Sequence, residues 1–169
     1  MKRYIKIIAL VLCAICAVAV LAACNENVDN VGADDTFFVE YMGVKIVLGD
    51  ENAGQIIESL GEPKSVEEVA SCGDKGAQVR YAYSAINLYV VETEGVSEKT
   101  VDGIELRSDS VQTPEGVYIG MSAVEAEELL GAPDKAQDNA LTYIKGKYFL
   151  RISLDDGVVS GIDYMTDTE

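Results

Sequence analysis

The chain of 169 residues has no histidine. It therefore lacks the one side chain whose ordinary pKa changes charge between pH 5 and 8. A Cys–His nucleophile is excluded with it. Basic residues are also scarce, with 13 Lys and Arg against 29 Asp and Glu, a net charge of −16. That balance argues against nucleic acid, whose phosphates are neutralised by Lys and Arg. It argues equally against a folded part that docks on anionic lipid headgroups. There is no Gly-x-Ser-x-Gly, no phosphate loop and no zinc-ligand spacing. Asp155-Asp156-Gly157 reads as a hairpin turn, since calcium needs six or more oxygens from a defined loop. Glu67-Glu68 and Glu125, Glu127 and Glu128 read as solvated positions. The expectation is a chain that is not an enzyme, with no cofactor and no metal.

The N-terminus is rich where the rest is poor. Lys2, Arg3 and Lys6 precede an apolar run from Ile7 to Val20, and Leu21-Ala22-Ala23-Cys24 follows. A basic start, a short apolar stretch and small residues make a secretory signal. Ile7 to Ala23 is 17 residues, at the lower edge of what spans a bilayer. Leu21 to Cys24 resembles the lipobox of bacterial lipoproteins. The resemblance implies a signal peptide over 1–23 and a diacylglycerol, with acyl chains such as palmitate, on Cys24. Each buried CH2 of such chains contributes about 0.8 kcal/mol to membrane attachment. The expected location is the extracytoplasmic side of the cell membrane. Removing 1–23 takes away three basic residues and no acidic ones, so the mature chain is more acidic still. Cys13 and Cys16 go with the signal and Cys24 takes lipid, so Cys72 is left without a disulfide partner. The polar, acidic stretch after Cys24 makes 24–36 a flexible tether.

The remainder carries an internal repeat. Ile56 to Pro63 and Ala126 to Pro133 both end in Leu-Gly-x-Pro, 70 residues apart. Val101 to Asp109 matches Val159 to Asp167 at an offset of 58. Tyr81 falls opposite Tyr143, and Leu88-x-Val90 opposite Leu150-x-Ile152. Repetition in one order suggests duplication, with surface insertions in the first copy around 72–77 and 95–99. Each unit opens on a short apolar segment, Val44 to Leu48 or Val117 to Ile119. A helix follows. Ser122 and Glu125 form a capping box, Val124, Leu129 and Leu130 share a face, and Gly131 and Pro133 stop it. Asn52 begins the matching helix, which carries Ile56, Ile57 and Leu60. Strands follow over Leu141–Ile144, Tyr148–Leu154 and Val158–Tyr164, separated by turn signals.

Gly116-Val117-Tyr118-Ile119-Gly120-Met121-Ser122, then Val124 and Leu130-Gly131-Ala132-Pro133, resembles the SmpA/OmlA family. The likeness covers 116–164 well and 44–106 weakly, because Gly49-Asp50-Glu51 replaces Gly-Met-Ser. The beta-lactamase inhibitor protein shares that fold family with two tandem units. The resemblance implies an α+β fold of two tandem units, each a short helical segment packed on an antiparallel three- to four-stranded sheet. The units occupy 37–110 and 111–169.

If helices cover one face of each sheet, the other is left open. Alternation places Phe149, Arg151 and Ser153 there, matched by Asn87, Tyr89 and Val91, with Glu105 and Asp163 at equivalent positions on the last strands. Tyr and Arg are favoured at binding hot spots. Candidate binding residues are therefore Tyr89, Phe149, Arg151, Glu105 and Asp163. Tyr81, Tyr83, Tyr143, Tyr148 and Tyr164 are assigned to the core. The functional expectation is a membrane-anchored, non-catalytic protein-binding module of the cell envelope. The alternative is a lipid-anchored inhibitor or regulator of an extracytoplasmic enzyme such as a beta-lactamase or cell-wall enzyme.

Overall fold

A computed structural model describes residues 35–69, 77–92 and 98–167. Cys24, Cys72 and the signal segment lie outside the described residues, as do most of the two expected insertions. Among the described residues ten strands and two short helices follow in chain order. Strands β1 (Phe38–Tyr41) and β2 (Val44–Val47) form a hairpin. Helix α1 (Ala53–Leu60) leads into β3 (Ser65–Val69), β4 (Ala77–Ala82), β5 (Ile86–Glu92) and β6 (Lys99–Leu106). Helix α2 (Ala123–Leu130) leads into β7 (Lys135–Gln137), β8 (Ala140–Lys145), β9 (Tyr148–Asp155) and β10 (Val158–Thr166).

The expected pair of helix-on-sheet units is not what forms. One antiparallel sheet of eight strands runs β3-β4-β5-β6-β10-β9-β8-β7, and the fold is mostly β. The two meanders meet where β6 pairs with β10, Ile162 opposite Leu106 and Asp163 opposite Glu105. Two separate four-stranded sheets would each leave a further row of unpaired N–H and C=O groups along an edge. Joining β6 to β10 satisfies both rows at once.

The helices contribute less than the pattern suggested. Each has eight residues. Helix α1 buries Ala53, Ile56 and Leu60, but α2 buries only Ala126. Val124 and Leu129 are 70% and 46% exposed, so of the expected apolar face of α2 only Leu130, half-buried, packs against the core. The main cover on the sheet is the β1–β2 hairpin and its flanks. Phe37, Val39, Ile46 and Leu48 join one core cluster with Leu88, Ile104, Leu150, Ile152, Ile162 and Tyr164. Each such aliphatic side chain, once buried, contributes roughly 1.5–3 kcal/mol. The Phe37 ring sits 5.9 Å from that of Tyr164. Backbone bonds clamp the hairpin to β6, Gly49 N–H to Val101 O at 2.8 Å and Val101 N–H to Asp50 O at 2.9 Å. Gly49 has φ +85°, and a Cβ there would run into the Tyr148 ring, 2.8 Å from Cζ. Thr36, at the end of the expected tether, is buried and donates to Leu48 O at 2.8 Å.

Local signals are realised in part. Ser122 and Glu125 make the full capping box. Asn52 makes no side-chain cap, and its amide instead donates to Asp50 Oδ1 at 3.0 Å. Asp156 and Gly157, with φ of 48° and 77°, form the two-residue turn that joins β9 to β10. Val117 to Ile119 forms no strand. Tyr81, Tyr83, Tyr143 and Tyr164 are buried, and Tyr148 is half-buried against the core.

Candidate functional site: the uncovered sheet face

The sheet alternates sharply. On β5, Ile86, Leu88 and Val90 point into the core with no exposed surface, which directs Asn87, Tyr89 and Val91 to the opposite face. Register then carries that face across the sheet. Arg80 on β4 lies opposite Tyr89, which lies opposite Gly103 on β6. Gly103 pairs with Met165 on β10, Met165 with Phe149 on β9, and Phe149 with Ile144 on β8. The next row runs Asn87, Glu105, Asp163, Arg151, Thr142 and Lys135. One row is largely apolar, and its neighbour is polar and charged.

All five candidate residues share this face. Tyr89, Glu105, Phe149 and Asp163 are half-buried and Arg151 is exposed. The Tyr89 ring lies against Gly103, its Cδ2 at 3.5 Å from where a Cβ would stand. Its hydroxyl donates to Glu105 Oε2 at 3.1 Å. Asn87 Nδ2 donates to the same oxygen at 2.7 Å, and Arg107 Nη1 to Oε1 at 2.7 Å. Partial burial pushes the Glu105 carboxyl up, but the donors Asn87, Arg107 and Tyr89 outweigh it and hold it below the usual carboxylate range.

Asp163 has the opposite balance. It stands directly opposite Glu105, and its own carboxylate accepts no hydrogen bond among the described residues. Burial pushes its carboxyl up and the charge of Glu105 adds to that, while Arg151 and Arg107 oppose without cancelling. Arg151 is its register partner on the other side, yet forms no ion pair among the described residues. Arg80 and Arg107, by contrast, are tied to Glu67 and Glu105.

Sequence reasoning did not single out Arg80 or Arg107, and it used Asn87 only as a strand match. Arg80 alternates with Val79 and Tyr81, a local sign of its face. Its closeness to Tyr89 needs the β4–β5 register, which no local pattern supplies. A concavity of about 630 Å³ lies between β1 and the segment 109–114. Glu40 and Asp109 line it with no basic side chain beside them in its lining, so the sheet face is the stronger candidate.

Chemically, the face offers charge-assisted hydrogen bonds, aromatic contact and an apolar strip. Among the described residues no group of three or more potential metal ligands converges. Comparison with models of protein families, with curated proteins and with solved structures finds no match.

Proposed function

We propose that this chain is an extracytoplasmic lipoprotein, held to the membrane through Cys24, whose uncovered sheet face binds a protein partner at the cell envelope without catalysis. The observation that carries the binding half is the placement of arginine. Arg80, Arg107 and Arg151, the chain's three arginines beyond Arg3, all lie on one face of an acidic protein, with Tyr89 and Phe149 beside them. Arg and aromatic side chains supply most binding energy at protein interfaces. The signal and the Leu-Ala-Ala-Cys run carry the anchoring half. Replacing Phe149 by a photo-crosslinking residue in cells tests the first half. A discrete protein adduct, lost when Arg151 and Tyr89 are changed to Ala, is the expected outcome. Diffuse labelling that ignores those changes would refute it. Cys24→Ser should move the protein out of the membrane fraction, and retention there would refute the anchor.

A further inference from the structure

We infer that the uncovered face is an isologous interface and that its partner is a second copy of this chain; the inference rests on the binding role proposed for that face. Two charged groups on it make no ion pair or hydrogen bond among the described residues. Arg151 is exposed and forms no ion pair, and Asp163 is half-buried and accepts no hydrogen bond among the described residues. They are register partners on β9 and β10. A two-fold axis over that pair sets Arg151 of one copy on Asp163 of the other, and the reverse, so one contact type is made twice. A guanidinium and a carboxylate meet in a bidentate, charge-assisted pair. The apolar row Met165, Phe149 and Ile144 lies alongside, and Ile144 is 42% exposed.

Charge favours the same occupant. A body of charge −16 repels its own copy on most approaches. On this face Arg80, Arg107, Arg151 and Lys135 are set among Glu67, Asp102, Glu105, Asp155 and Asp163, so the charges come close to balance locally. A cationic partner would gain nothing special here. A second acidic copy gains a place where repulsion is relieved and opposite charges meet. Eight strands about 4.8 Å apart and on average six to seven residues long make a face of roughly 34 by 22 Å. Two such faces bury at most about 1,500 Å², within the range of a specific interface. Repulsion between two acidic bodies keeps the dimer weak, with a micromolar Kd, and it is favoured when both copies are confined to one membrane surface.

Sedimentation equilibrium of the full chain in a nonionic detergent, from about 1 to about 200 μM, tests this. The mass should rise from one chain to two across that range. Arg151→Asp and Asp163→Arg should each weaken association at least about tenfold, since each sets like charges at both contacts. Combining them should bring the Kd back to within about threefold of the starting protein. Arg151→Gln, at an exposed position, repeats the loss of the contact without adding charge, and near-UV circular dichroism confirms folding of each variant. A single-chain mass throughout overturns the inference. So does a dimer indifferent to either reversal, or a double variant that stays dissociated. Crosslinking of Phe149 variants to a different protein, with the chain itself monomeric, overturns the dimer while leaving the binding role standing.

Discussion

Two carboxylates face each other at the seam of the sheet, and their opposite environments make a stability prediction with a definite sign. Glu105 is held below its usual range by Asn87, Arg107 and Tyr89, whereas Asp163 is pushed up by burial and by Glu105 itself. A carboxyl whose folded pKa is raised binds its proton more tightly in the fold than in the unfolded chain, so its ionisation costs stability. That cost appears as pH rises from the unfolded value, near 3.9, through the raised folded one, and is constant above it. Asp163→Asn removes the ionisation and the cross-strand repulsion, and keeps the shape. Like charges directly opposite on a sheet cost about 0.2–1 kcal/mol, and partial desolvation adds to that. We expect Asp163→Asn to stabilise by about 0.5–1 kcal/mol at pH 7, with the gain vanishing below about pH 4. Glu105→Gln should act the other way. It weakens three hydrogen bonds to a partly exposed charged group, a loss of about 1–2 kcal/mol at neutral pH. Its stabilising contribution in the starting protein is lost as pH falls through the lowered folded pKa. Urea unfolding at low micromolar protein, from pH 3.5 to 8, measures both. A destabilised Asp163→Asn at pH 7, or a gain independent of pH, refutes the reasoning.

The remaining predictions concern the covered face and its hairpin. Gly49→Ala meets a left-handed backbone and the Tyr148 ring together, and thermal or urea unfolding should show a loss of at least about 2 kcal/mol. Tyr164 is buried and its hydroxyl has no hydrogen-bond partner among the described residues, while burial pushes its pKa well up. Tyr164→Phe should therefore leave stability unchanged or raise it by up to about 1 kcal/mol, and a loss would reveal a partner for that hydroxyl. On α2, Val124→Ser should change stability by less than about 0.5 kcal/mol, whereas Ala126→Leu should cost about 1–3 kcal/mol by overpacking.

What the sequence made legible was short-ranged, and what it concealed was not. Alternation in Tyr148 to Leu154 has a period of two whatever the strand pairs with, so β9 and its two faces could be read directly. Asp156-Gly157 sets a turn through its own backbone, and Ser122 finds Glu125 within one helical turn. Misreadings occurred where a pattern had two tertiary solutions. Val124 and Leu129 at helical spacing look like a core face, yet on α2 only Ala126 is buried and only Leu130 joins it against the core. Val39 and Ile46, both fully buried, belong to a hairpin of which only the second strand, within Val44 to Leu48, was expected.

The joining of β6 to β10 was the least visible event and the one that creates the candidate site. Glu105 and Asp163 were recognised as matching positions 58 residues apart, and the register then makes those same positions direct neighbours. Antiparallel pairing of matched strands sets equivalent residues opposite each other only about a local two-fold axis. Whatever such a strand carries on its outer face is therefore doubled at the centre of the sheet. Here the doubled feature is a carboxylate, and like charges at a seam are a cost that the remaining outer-face side chains must offset. Asn87, Tyr89 and Arg107 do so for Glu105. Among the described residues no equivalent set closes on Asp163, and its carboxylate beside Arg151, neither of them in an ion pair, follows from that asymmetry between the halves.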